Sequence, residues 1–584
     1  MFVLPHHYRF VVYGLLAVWT LGQPSDVMAQ PPVSSRFVLD MVHDNLGESP
    51  RVSAFNAPQT LADWGYNGQV PQLYVQCAVT FDSLEKGLIP TGSEVRQWMS
   101  QKAARIDQRL IEAEATGIKL YPFTDFLIIP QVVYDKYKDD LGDLSIQKPL
   151  VQKIVRLQVQ EIFARFPDLG GLTLRFGETY LHDTPHHMGK SPVRSPQDHT
   201  ILINILREEI CVHRNKMLFY RTWDFGNNFH VNPTYYRAAT DPVIPHPNLV
   251  FSIKHTRGDF LRTLPFNPTI GIGKHQQIVE VQCQREYEGK GAHPNYIAHG
   301  VIEGFEELSA HKKPKCLRDL LGNPNFTGVW TWTRGGGWKG PRLKNEFWCG
   351  LNAYVVSKWT QDTSQNEETI FREYAARELG LKGADIDRFR ELCLLSAKGV
   401  LRGQYSLLGG VRVDWARDQY LGGVHQLGGT FNGFIKLGKV DNALAEKAKA
   451  VAIWRRIEAL AKQINVPDPA TKEFIVTSCT YGRIKYEIIE KGWTIMLLGI
   501  AGDKTGQYDK PRIAGAITSY DRLWDEWKQL EKFSPSCATI YKNHYCRYVS
   551  QKGMFPASGM NDSINKYRKL ISQKEPNIKL ENVT

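Results

Sequence analysis

Three carboxylates stand just past the ends of predicted strands: Glu178 in Leu174-Arg175-Phe176-Gly177-Glu178, Asp259 in Lys254-His255-Thr256-Arg257-Gly258-Asp259, and Glu286 in Gln284-Arg285-Glu286-Tyr287. Acids at the tips of parallel strands share one rim, where loops converge. The chemistry that most directly uses such acids without a cofactor is glycosidic bond cleavage. One carboxylic acid protonates the leaving oxygen, and another activates water or attacks carbon. Arg221, near the end of the fifth predicted strand, and Lys254, after the sixth, bring cations to the same rim. Taken singly, each of these is an ordinary solvated or ion-paired loop residue, since charged side chains belong at surfaces. Their convergence from four neighbouring strands is what reads as a site.

The elements that would position them recur along the first two thirds of the chain. Eight apolar or β-branched runs, at 36–42, 73–80, 118–123, 171–176, 217–223, 249–253, 278–283 and 328–333, read as strands. Segments 92–116, 148–166 and 198–216 carry apolar residues at helical spacing and are long enough to cross between parallel strands. This alternation predicts a (β/α)8 TIM barrel over residues 30–400. An open doubly wound sheet is the rival, but no Gly-x-Gly-x-x-Gly turn follows the first strand. After Arg334-Gly335-Gly336-Gly337 the texture changes. Helical periodicity at 347–359, 367–379, 442–464 and 519–533 predicts a mainly helical C-terminal domain over 401–584. Glycine-rich stretches at 407–411 and 421–430 read as loops between helices, and the polar end as a surface tail.

Composition narrows the partners. A hydrophobic content of 42% with 23% charged residues is that of an ordinary soluble protein. The net charge of +12 is scattered rather than gathered in runs, which argues against nucleic acid and suits an acidic saccharide. His6, His7 and Arg9 precede an apolar run over 10–21, and Val27-Met28-Ala29 offers a peptidase site. Residues 1–29 are therefore expected to be a signal peptide, the protein exported to a periplasmic or extracellular location, and no membrane span left after cleavage. No two of the nine cysteines form a Cys-x-x-Cys pair, which argues against a zinc ribbon or dithiol motif. Cys537 and Cys546 are the closest pair, whereas Cys77, Cys211 and Cys283 lie in or beside apolar runs and read as buried thiols. The loop His182-Asp183-Thr184-Pro185-His186-His187-Met188 holds ligand-type residues, but its proline and lack of helical histidine spacing argue against a metal. Sugar hydroxyl contacts suit it better. Trp330 and Trp332 read as strand packing, and Trp338 as a stacking platform for a sugar.

Several of these pieces together resemble the glycoside hydrolase family 67 α-glucuronidases. Lys254 through Phe260, followed by Val279-Glu280-Val281-Gln282-Cys283-Gln284-Arg285-Glu286-Tyr287-Glu288-Gly289, looks like that family's core signature. Val42-His43-Asp44-Asn45-Leu46-Gly47 resembles its first-strand motif, Phe219-Tyr220-Arg221 its strand-five arginine, and Phe347-Trp348-Cys349-Gly350 through Trp359 the helix after the last strand. The similarity runs from about Arg36 to Leu379. It implies an inverting hydrolase without cofactor or metal, with Glu178 as general acid and Asp259 and Glu286 on the base side. Arg221 and Lys254 would bind the uronate carboxylate through charge-assisted bonds that a neutral hexose cannot supply.

Two departures stand out. His43 occupies a position where the family has tryptophan, making the wall beside the sugar smaller and more polar; it reads equally as a substrate contact and as a loop histidine bonded to Asp40 or Asp44. The family's domain before the barrel has no counterpart between the predicted signal peptide and the first strand. The expected partner is a uronic-acid-containing oligosaccharide or polysaccharide, with a homodimer left open. The rival readings are a barrel glycosidase acting on another α-linked sugar and a catalytically silent carbohydrate-binding protein on a glycosidase scaffold.

Overall fold

A computed structural model of the chain describes residues 36–44, 51–177, 181, 184–224, 228–336, 340–409, 421–542, 546–550, 553–557 and 559–572. The predicted signal peptide, Glu178, His182, Asp183 and Trp338 lie outside these residues.

Strands β1 (Phe37–His43), β2 (Gly68–Gln69), β3 (Lys119–Leu120), β4 (Phe123–Asp125), β5 (Ile128–Pro130), β6 (Gly171–Arg175), β7 (His187–Gly189), β8 (Met217–Arg221), β9 (Leu249–Lys254), β10 (Gln276–Gln282) and β11 (Phe326–Gly335) are interspersed with helices, though among the described residues none separates β3, β4 and β5, β6 from β7, or β9 from β10. Nine of them build one sheet in the order β3-β2-β1-β11-β10-β9-β8-β6-β4. Every pairing in it is parallel. The sheet curls, because its two end members are consecutive pieces of one segment. Tyr121 and Phe123 donate to Gln69 O and Pro71 O on one side, while Gly170 and Thr173 donate to Leu120 O and Pro122 O on the other. Helices Glu94–Glu114, Pro149–Arg165 and Pro196–Leu206 cross between strands as their periodicity predicts. Ser93 caps the first and proline opens the other two, where a missing N–H costs nothing.

Alternation along the strands sorts side chains between two apolar cores. Leu39, Met41, Phe219, Val250, Ile278, Trp330 and Trp332 fill the inside of the curled sheet. Their neighbours Val38, Leu218, Tyr220, Phe251, Val279 and Val281 face outward, into the core that continues beneath the helices.

The stretch 73–80, expected to be the second strand, instead holds a short 3₁₀ helix, Val75–Ala78, and the second sheet position belongs to the two-residue β2. After β11, helices dominate: Phe347–Gln361, Glu367–Arg377, Ala384–Gln404, Val424–Lys436, Val440–Gln463, Pro469–Thr505 and Lys510–Phe533. Helix Val424–Lys436 occupies much of the glycine-rich 421–430, so that stretch is not the inter-helix loop its composition suggests. A hairpin of β12 (Cys546–Ser550) and β13 (Gly553–Ala557) and a helix, Met560–Ser572, stand where a polar tail was expected. Cys77, Cys211 and Cys283 are buried free thiols, and Cys537 is also free. Among the described residues no helix is long and apolar enough to cross a membrane.

Candidate active site

Seven strands of the sheet end on polar residues: β1 on His43, β2 on Gln69, β4 on Asp125, β6 on Arg175, β8 on Arg221, β9 on Lys254 and β10 on Gln282. The parallel register sets neighbouring ends side by side. Asp125 pairs with Arg175, Arg221 with Ser252, and Lys254 with Glu280. Because residues two apart share a face, Phe219 and Arg221, Val250, Ser252 and Lys254, and Ile278, Glu280 and Gln282 all project inside. The result is a polar layer above the inner apolar core.

Each cation in that layer is bonded to an acid. Arg221 grips Glu280 with two hydrogen bonds of 2.8 Å, and Ser252 Oγ adds a third donor at 2.9 Å. Both members of the pair are essentially unexposed. A buried pair of this kind persists only when bonding replaces lost hydration, and the fork of Arg221 on a carboxylate does so. Arg175 binds Asp125 through Nε and, at 2.8 Å, through its second amino group. Lys254 Nζ lies 2.6 Å from Asp259 Oδ1 and 3.5 Å from the centre of the Trp223 ring. Aromatic faces line the remainder: Arg221 sits 4.9 Å from the Trp332 ring centre, and His43 stacks on the same ring at 5.1 Å, 7° from parallel.

The acids differ in their settings. Burial opposes ionisation of Asp259, but the Lys254 charge, with hydrogen bonds from Lys254, the Tyr287 hydroxyl and the Phe260 N–H, holds its carboxyl below the usual aspartate range. Asp259 is therefore an ionised acceptor tied to the loop after β10 by Tyr287. Glu286 is buried in that same loop, its N–H bonded to Gln282 Oε1 at 2.9 Å. Gly336, at φ +76°, passes so close that a Cβ there would lie 2.7 Å from Glu286 Oε2. Gly177 brings the chain leading to Glu178 against β8's exit: a Cβ at 177 would meet Asp224 Cα at 2.4 Å. His43 is neutral, since burial first, and then the charges of Arg175, Arg221, Arg51 and Lys254, push its pKa well below the histidine range. Asp40 bonds to Thr331 and Thr333, and among the described residues His43 Nδ1 has no hydrogen-bond partner.

Neither a family model nor a curated protein matches the sequence. Among solved structures, a GH138 enzyme targeting pectin rhamnogalacturonan II is similar in fold, with a TM-score of 0.56 at 9% identity over 88% of this chain. The chain spans 62% of that protein's length. An O-GlcNAc hydrolase of Thermobaculum terrenum superposes with a TM-score of 0.40 at 9% identity, over 92% of this chain and 94% of its own. The first likeness is one of fold.

Of the residues singled out from sequence, the structure gathers Asp259, Glu286, Lys254, Arg221 and His43 at one end of the sheet. Glu178 and Trp338 lie outside the described residues, each next to a described residue of that end, Gly177 and Gly336 respectively, or one removed. Sequence reasoning missed Glu280, Arg175, Asp125, Trp223 and Tyr287. Glu280 did leave a signal: a lone acid inside Val279-Glu280-Val281, at inward parity with Gln282. Among the described residues no three His, Cys, Asp or Glu side chains gather to hold a metal.

Proposed function

We propose that this protein is an exported glycoside hydrolase that removes a terminal α-linked uronic acid from a polysaccharide or oligosaccharide. We read the curled parallel sheet as a (β/α)8 barrel whose C-terminal rim carries the site. The observation that carries the reading is the pairing at the ends of β8 and β9. Two buried cations stand on adjacent strands, beside an ionised Asp259 and a second acid, Glu286. The resemblance to family 67 α-glucuronidases supports the same assignment residue by residue, and the GH138 enzyme of similar fold targets pectin rhamnogalacturonan II.

In this reading Glu178, following Gly177, donates a proton to the leaving oxygen. Asp259 and Glu286 orient and deprotonate the attacking water, with inversion at the anomeric carbon. Lys254 commits one of its three N–H donors to Asp259 and offers the substrate carboxylate another. Glu280 holds the Arg221 guanidinium in one orientation beneath the sugar. His43, neutral and flat on Trp332, forms the polar wall of the sugar pocket.

A second reading draws on the same pair. Glu280 already occupies the fork of Arg221, which suits a barrel glycosidase whose sugar carries no acid. The deciding experiment incubates the protein with a panel of uronate-bearing and neutral α-linked oligosaccharides and identifies the monosaccharide released. A released uronic acid is the expected result. A neutral sugar moves the assignment to the second reading, and no release from any member leaves a carbohydrate-binding protein.

A further inference from the structure

Behind the turn that carries Glu286 and Tyr287 lies a cavity lined by Arg285, Arg262, Lys315 and Thr256, with Leu261 and Phe305 among its apolar walls. It gives the centre of a water-sized guest about 10 Å³, enough for one such guest. Among the described residues, three cationic side chains and no carboxylate line it. Two of the lining side chains carry buried polar atoms that meet no partner among the described residues: Arg285 Nη1 and Thr256 Oγ1.

The surrounding bonds explain why charge is left over. Arg285 is 1% exposed and commits Nε and Nη2 to Glu288, at 2.9 and 2.8 Å. Glu288 is shared, since it also accepts the Arg262 N–H at 2.7 Å and the Tyr405 hydroxyl at 3.0 Å. Arg262 pairs with Glu307, and among the described residues Lys315 Nζ bonds the Ser309 carbonyl alone. A buried guanidinium with one edge unmatched costs free energy that an acceptor in the cavity recovers. Arg285 also takes a left-handed backbone, φ +55°, so whatever fixes its side chain helps fix the turn ahead of Glu286.

We propose that this cavity binds a single monovalent anion of halide size, held by Arg285 Nη1 and the Thr256 hydroxyl, and that the anion stiffens the Glu286 turn. The proposal does not depend on which glycoside is cut. The small volume favours a monatomic ion over sulfate or phosphate.

The test uses the full chain dialysed free of halide, with ionic strength held constant by gluconate. Chloride or bromide replacing gluconate should raise Tm saturably, by about 2 °C or more, with sulfate showing no saturable step. Thr256→Val should weaken the apparent halide affinity at least tenfold. A crystal grown in bromide should show anomalous density beside Arg285, a readout that needs no variant. Superimposable chloride and gluconate curves, an effect appearing only at molar salt, or a water without anomalous signal at Arg285 would each overturn the proposal.

Discussion

Glu280 lies in the middle of a β-branched run and is fully buried, a position where a carboxylate survives only because Ser252 on the adjacent β9 and Arg221 on β8, one strand further, meet it. Asp40, on the outward face of β1, meets no cation among the described residues. Burial raises its pKa to about 7, and bonds from Thr331 and Thr333 only partly offset that. The folded protein therefore keeps this proton up to about pH 7, whereas the unfolded chain loses it near the ordinary value of 3.8. Its contribution to stability is complete below about pH 4 and declines as pH rises to 7, by at most about 4 kcal/mol. Asp40→Asn should remove that decline. Thermal unfolding of parent and variant from pH 4 to 8 checks this: the variant should gain on the parent as pH rises, and parallel curves would contradict the shift. Residue types such as these were legible in the sequence, but their partners were not. The bonds of Glu280 to Arg221 and of Arg175 to Asp125 span 59 and 50 residues, and only the register of the sheet brings them together.

At the scale of elements, β11 ends in a glycine run whose use becomes plain beside Glu286. Gly336→Ala puts a methyl group 2.7 Å from Glu286 Oε2 on a backbone at φ +76°. The variant should lose about 1 kcal/mol or more of stability. Displacing an acid from its working position should also lower kcat/KM by about tenfold or more. Denaturant unfolding and hydrolysis rates measured together check both, and unchanged hydrolysis would remove Glu286 from the reaction. Most strands and the three crossover helices were legible because one face of each is apolar. The second strand was not, since Gly68–Gln69 is two residues long, while Val75, Cys77 and Val79 alternate as a strand would yet lie in and beside a 3₁₀ turn. Helix Pro469–Thr505, of 37 residues, was equally hidden. Its glycines argue locally against a helix, but a Cβ at Gly482 would lie 2.2 Å from Trp454, so the small residue serves packing against the preceding helix, Val440–Gln463.

At the scale of the molecule, the helices after β11 brace the loop that follows β10. Tyr405, just past helix Ala384–Gln404, bonds Glu288 in that loop, and Ser396 on the same helix accepts the Tyr296 N–H. Glu367 anchors the junction. Burial favours its neutral form, but bonds from His299, Arg390 and Tyr296 with the Arg390 charge bring its pKa down to about 2. This depressed value contributes stability above the ordinary 4.5, lost as pH falls through 2, about 3 kcal/mol in all. Glu367→Gln should be less stable than the parent at neutral pH, with the difference shrinking toward pH 2; a gap independent of pH would contradict the network. The braced loop matters because it carries Glu286 and Tyr287 toward Asp259 and Lys254, the group that we propose reads a uronate. Lys254→Met tests that role most directly. The substitution also takes the cation from Asp259, leaving its bonds from Tyr287 and Phe260, and this slows hydrolysis of every substrate, so the informative quantity is the ratio of kcat/KM for a uronoside to that for its matched neutral glycoside. That ratio should fall by about thirtyfold or more, equivalent to about 2 kcal/mol of transition-state binding to the carboxylate. A ratio that stays constant while both rates fall would contradict it, leaving Lys254 as a partner of Asp259 alone.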